Sequence, residues 1–298
     1  MSITIHQLFT YLCADVKKLI TIDLKIEHLN SSTTHFSSNK VKDEEKYLIK
    51  VSKDAGGYKI TSVEELMEYV IIFGHELTHC INKHNSFNPE DNNEFIATEM
   101  HADFQGARIA TALYTYGYNL RKIIEKNFNY PDKIKKDKKK YCELISKSIS
   151  KLYKDYFNDN TSPRYPNKNT RLSLCVGGIA SFFYRSPQFQ QQVGEYALIN
   201  ILITKNLDPD ILSNFNSTVD DSFDLIETVQ KVHNKIQGTK LYITNIKNPN
   251  LENIFGTSYH QSIYTKSIQK EKMRGEILSA LKKHNLDFLI TDDLKTKG

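Results

Sequence analysis

A mainly α fold with a small β element (α+β) is the class this sequence predicts, and three observations carry that prediction. Apolar residues recur at three- and four-residue steps through the stretches around residues 63–81, 95–113 and 141–156. Strand signals are confined to short runs, the clearest of which flank Asp54-Ala55-Gly56. Beyond Pro187 the chain turns more polar and again reads mostly as helices. The expected organisation is a domain over residues 1–185, with an N-terminal helix and a β-hairpin or small sheet, followed by a mostly helical region over 186–298.

Residues 3–20 predict an amphipathic helix with Leu8, Leu12, Val16, Leu19 and Ile20 on one side. The Ser/Thr-rich stretch 30–39 reads as a loop. Tyr47-Leu48-Ile49-Lys50-Val51 and Gly57-Tyr58-Lys59-Ile60-Thr61 read as the arms of a hairpin, and Tyr58 to Ile60 as an edge that a peptide could pair with. Ser62-Val63-Glu64-Glu65 has the form of a capping box, so a helix should start after Ser62. Val63, Leu66, Met67, Val70, Gly74, Leu77 and Ile81 form its buried stripe, and the polar run after Asn85 should end it. A second helical pattern carries Phe95, Ile96, Phe104, Ala107, Ala110 and Leu113. The lysine run 133–140 precedes Tyr141, Leu144, Ile145, Ile149, Leu152 and Tyr156 at helical spacing, and so reads as the exposed start of a helix. An apolar segment with Gly177-Gly178 suits close packing. Residues 188–203, 223–236 and 267–283 read as helices, and Leu241-Tyr242-Ile243-Thr244 as a strand.

Composition bounds the function. The 298 residues are 39% hydrophobic and 25% charged, as in a soluble globular protein. A net charge of +5 tolerates an acidic partner without demanding one, and a nucleic-acid-binding role for the lysine run is disfavoured. The longest apolar runs fall far short of the ~20 residues of a spanning helix. Cys13, Cys80, Cys142 and Cys175 lack paired spacing and read as thiols of a reducing compartment. With no secretory signal in the first residues, a cytoplasmic location is expected.

Chemistry concentrates in His75-Glu76-Leu77-Thr78-His79. On a helix, residues four apart face the same way, so both imidazoles can reach one zinc ion, with Glu76 beside them as general base. A catalytic zinc takes three protein ligands and leaves a position open. His84 does not complete the elongated zinc motif, because Asn82 and Asn85 stand where its glycine and third histidine belong. Glu99 is the expected third ligand, with Glu94 as the alternative. Asp103, one turn beyond Glu99, shares its face and can accept a hydrogen bond from a ligand histidine, the expected partner being His75. His101 is rotated by about 200° from Glu99 and points away.

These motifs resemble those of gluzincin-type metallopeptidases, in which H-E-x-x-H and a glutamate from a later helix hold zinc. The run Glu99 to Gly106, E-x-x-A-D-x-x-G, is similar to that of the HtpX and CAAX-prenyl-protease superfamily. Members of that superfamily often carry H-P-x-x-x-x-R, and here Tyr165-Pro166-Asn167-Lys168-Asn169-Thr170-Arg171 keeps the proline and arginine with tyrosine in place of histidine. The resemblance covers residues 62–180. It implies a zincin-like metallopeptidase core, one zinc per chain, an oxyanion donor at Tyr165, and an ordering or substrate-gripping role for Arg171. Lacking a membrane span, the chain is also similar in size and motif order to soluble phage-exclusion peptidases of the Lit type, although the motif lies nearer its N-terminus. That likeness implies a defence or toxin-like protease acting on a protein substrate.

Two rivals follow from the same residues. One is a nucleic-acid-associated or scaffold protein with a structural zinc, whose fourth ligand would have to be Cys80, His84 or His101. The other is a zinc hydrolase acting on a substrate other than a peptide.

Overall fold

The computed structural model describes residues 3–29, 35–40, 46–128, 130, 137–157, 165–186, 193–214, 225–237 and 251–255, with scattered positions between 268 and 283. Helices dominate these residues and the strands are few and short, as the spacing predicts.

The first strand, β1 (Ile3–Thr4), runs into helix α1 (Ile5–Leu19). Thr4 and Gln7 form a reciprocal cap, with the Gln7 amide donating to Thr4 Oγ1 at 3.3 Å and the Thr4 amide to Gln7 Oε1 at 3.0 Å. Leu8, Phe9, Leu12 and Val16 are fully buried along its inner face. Asp15 on that face accepts from the Asn119 and Leu120 amides at 3.0 and 2.9 Å, and so caps α5 (Tyr118–Phe128).

Three strands, β2 (Asp23–Leu29), β3 (Phe36–Lys40) and β4 (Lys46–Ser52), make one sheet in the order β2-β4-β3. Strand β4 runs parallel to β2 and antiparallel to β3. This corrects the hairpin expectation. Ser52 Oγ accepts from the Ala55 amide, and Asp54-Ala55-Gly56 fall inside a helical turn, α2 (Lys53–Gly57). The chain therefore leaves the sheet, and β5 (Lys59–Ile60) pairs with β1 instead of β4. The loop expected over 30–39 is corrected too: its second half is β3, whereas 30–34 lie outside the described residues. Cross-strand partners, not local composition, decide both cases.

Helix α3 (Val63–Ile81) starts where Ser62 Oγ accepts from the Glu65 amide at 3.1 Å. Only half of the expected box forms, because the Glu65 carboxylate binds the Thr61 amide and hydroxyl, each at 2.8 Å, and the Tyr58 hydroxyl. The helix stops at Ile81, short of the expected Asn85. Lys83 adopts a left-handed conformation with φ 55°, and His84–Ser86 form a 3-10 turn. Only Glu64 and Tyr69 of α3 are not buried, which makes it the central helix.

Helix α4 (Asn92–Tyr116) lies between α3 and α7 (Lys168–Arg185). A Cβ built on Gly74 would strike the Gly106 carbonyl, and one built on Gly178 would strike the carbonyl of Phe104. Glycine at these crossings lets the three backbones touch. Helix α6 (Lys138–Asp155) packs on α3, and α8 (Val193–Lys205) lies against α6 and α7. After the short α9 (Pro209–Asn214), α10 (Leu225–Gln237) and α11 (Glu252–Phe255) dock on α4, where Gln105 Nε2 donates to the Phe255 carbonyl at 2.6 Å. The strand expected at Leu241-Tyr242-Ile243-Thr244 lies outside the described residues, as do 133–136 of the lysine run. No described helix is long and apolar enough to cross a membrane. All four cysteines are buried and free.

A candidate metal centre

The crossing of α3 and α4 at Gly74 and Gly106 sets one turn of each helix side by side. From α3 it presents His75, Glu76 and His79, and from α4 Glu99 and Asp103. All five are buried. His75 Nε2 and His79 Nε2 stand 3.1 Å apart, and Glu99 places one carboxylate oxygen 3.3 Å from the first and the other 3.5 Å from the second. Ligands about 2.1 Å from a tetrahedral ion lie about 3.4 Å from one another, so this donor set fits one metal ion of zinc's kind.

Asp103 Oδ1 lies 2.9 Å from His75 Nδ1, the ring nitrogen that faces away from the converging donors. Arg171, in the first turn of α7, donates to Asp103 twice, from Nε at 2.8 Å and from Nη2 at 2.9 Å. Phe157 lies beneath the guanidinium, 4.2 Å from ring centre to Cζ. Of the two roles expected of Arg171, ordering the site and gripping substrate, its bonds to Asp103 fit the first, and it also lines the cleft that a substrate would enter. Glu94, the alternative ligand, is drawn elsewhere, with Lys235 Nζ at 2.6 Å and the Glu90 amide at 2.9 Å.

Burial and pairing set the charges. Burial opposes ionisation of Asp103, but Arg171 and His75 outweigh it and hold the carboxyl at about 2. Burial alone would lower His75, yet its bonds to Asp103 and Glu99 raise it to about 10. For His79 burial prevails over the attraction of Glu99, helped by the charge of His75, and its pKa falls to about 4. Glu99 is lowered by the two histidines against its own burial, and Glu76 is raised, mainly by burial.

An open cleft of about 430 Å³ exposes this chemistry. His75, Glu76, His79 and Glu99 line it, and Ser37, Ser38 and Asn39 of β3 border it. Strand β3 ends the described sheet order, so the edge beside the site is β3 and not the expected Tyr58 to Ile60. Tyr165 also lines the cleft, 40% exposed and edge-on to Phe95 at 5.9 Å.

Sequence reasoning missed three contributors. Tyr156 lines the same cleft, although its helical spacing marks it as core. Strand β3 lay in a segment read as loop. A second group, His84, His101 and His233, is buried with ring nitrogens within 4.8 Å of one another. His233, alone on an amphipathic helix, carries no sequence signal.

Compared with known proteins, the chain matches no family model, no curated protein and no solved structure.

Proposed function

We propose that the chain is a zinc-dependent endopeptidase of gluzincin type, in which His75, His79 and Glu99 hold the ion and Glu76 is the general base. The observation that carries this reading is the convergence of three donors beside Glu76 in an open cleft bordered by a strand edge. Zinc held there would supply Lewis acidity, polarising a peptide carbonyl and making water nucleophilic near neutral pH. Glu76 takes the proton of the attacking water and returns it to the leaving nitrogen, a shuttle helped by the upward shift that burial imposes on its carboxyl. Asp103, locked by Arg171, keeps His75 turned toward the ion. Tyr165 donates a hydrogen bond to the developing oxyanion from the cleft wall. An extended substrate backbone pairs with the edge of β3. The resemblance to soluble phage-exclusion peptidases extends the proposal to a defence or toxin-like protease acting on a host protein.

The structural-zinc rival is less well supported. A structural site closes with four protein ligands, whereas the group formed by His75, His79 and Glu99 numbers three among the described residues. Of the fourth ligands considered, Cys80 is buried in the apolar core, and His84 and His101 belong to the second group.

Zinc-loaded protein and Glu76→Gln should be compared on peptide mixtures by mass spectrometry. Glu76→Gln should keep its zinc and lose about 10²–10⁴-fold in cleavage rate. Equal cleavage by the two proteins would contradict the mechanism.

A further inference from the structure

His79 has two ring nitrogens. Nε2 faces His75 and Glu99, whereas Nδ1 meets His84 Nδ1 at 3.0 Å. His84 in turn sets its Nε2 3.0 Å from His233 Nε2, on α10. All three rings are buried, where a neutral imidazole with one proton costs far less than a charged one.

We propose that His84 and His233 form a hydrogen-bonded string that holds His79 in its metal-binding tautomer, so that α10 completes the metal centre from the far side. The proposal rests on the reading that His75, His79 and Glu99 hold a metal ion. A ligand imidazole gives the lone pair of one nitrogen to the ion and carries its proton on the other. With Nε2 committed to the ion, His79 keeps its proton on Nδ1 and donates it to His84 Nδ1. His84 then carries its own proton on Nε2 and donates to His233 Nε2. Each ring fixes the tautomer of the next, and the direction of the string is set at its metal end. His75 is oriented by a carboxylate, and His79 is oriented by this relay of neutral rings.

The rival use of these residues is a second metal ion held by His84, His101 and His233. Ring geometry at the contact between His84 and His233 favours the string. The His75 and His79 nitrogens are 3.1 Å apart with ring centres 4.8 Å apart, so the rings converge on a point beside the line joining them, as two ligands of one ion must. The His84 and His233 nitrogens are closer, at 3.0 Å, yet their centres are farther apart, at 5.3 Å, and the ring planes are only 29° from parallel. The two rings meet nitrogen to nitrogen almost in line, which is the geometry of an N–H···N hydrogen bond. Proton count points the same way. If His84 accepted from His79 and also gave its Nε2 lone pair to an ion, it would be a buried imidazolate anion. Helix α10 is tied at the right height, because Lys235, two residues beyond His233, reaches Glu94 at 2.6 Å and Glu90 at 3.0 Å beside the start of α4.

The test is zinc affinity by chelator competition, with the visible spectrum of the cobalt-substituted protein, on the full chain. His233→Phe should weaken zinc by about 10-fold and shift the cobalt bands, the low end of what loss of an orienting partner costs. His233→Gln, whose amide oxygen can accept from His84, should recover most of both. His84→Leu removes the acceptor of His79 directly and should cost about 10–100-fold, which tests the same link if the phenylalanine variant fails to dock α10. One ion in the wild type with affinity and spectrum unchanged in all three variants would overturn the string and leave the metal centre standing. Two ions in the wild type, one of them lost in His233→Phe, would overturn it in favour of a second metal site. No ion in the wild type would overturn both the string and the metal reading.

Discussion

The two histidine groups are neighbours of opposite character. The group of His75, His79 and Glu99 contains a carboxylate, converges on a point and opens to a cleft. The group of His84, His101 and His233 is all imidazole, reaches the cleft only through His84, and lies where α10, which carries His233, packs on α4. One α4 helix serves both, with Glu99 in the first and His101 in the second. The difference teaches that histidine proximity alone is a weak guide to a metal site. A nearby anion to offset the ion's charge, and rings aimed at a common point, favour the first group as the candidate.

The largest expected way to break the contrast is to remove the cation behind the first group. Arg171→Met would leave Asp103 buried without its bidentate partner, and breaking a buried pair on one side costs about 3–5 kcal/mol. Denaturant unfolding of metal-free protein measures that loss, and a variant as stable as the parent would show that Asp103 does not depend on Arg171.

A smaller effect is expected where α3 and α4 touch. Gly106→Ala would drive a methyl group into the His75 backbone, and overpacking of this kind costs about 1–3 kcal/mol. Because α4 feeds both groups, this variant should weaken the metal centre and loosen the histidine string together, seen as lower stability and lower metal affinity in the same protein.

The proton balance of the empty site offers a third way to break the contrast. His75 is raised from 6.5 to about 10 by its carboxylate partners, so its contribution to metal-free stability is complete below about pH 6.5 and is lost as pH rises to about 10. Metal-free protein should therefore lose stability through that window. Metal uptake near neutral pH must expel the His75 proton, and calorimetry in buffers of different ionisation enthalpy should find about one proton released per ion. Uptake with no proton release would show that His75 is already neutral in the empty site.

Legibility from sequence follows the range of the interaction. The spacing of His75 and His79, and of Glu99 and Asp103, was readable because the helix fixes neighbours four residues apart. Ser62 marked the start of α3 for the same reason. The β topology was not readable, because β4 takes its parallel partner from β2, some twenty residues upstream, and no local pattern records that choice. Ser37, Ser38 and Asn39 look like loop residues and become a strand only because β4 pairs with them. Arg171 could be placed near the site by its motif, but its grip on Asp103 is a contact across 68 residues. His233 meets His84 across 149 residues, and nothing around it in the chain distinguishes it from a core histidine.

Metal content of the purified protein tests the central claim most directly, measured by elemental analysis beside Glu99→Ala. One zinc per chain, weakened in Glu99→Ala, is the predicted result, since removing the carboxylate leaves two neutral histidines and little charge to hold a divalent ion. A wild-type protein that binds no zinc after purification without chelators, or one whose zinc is indifferent to Glu99→Ala, would contradict it.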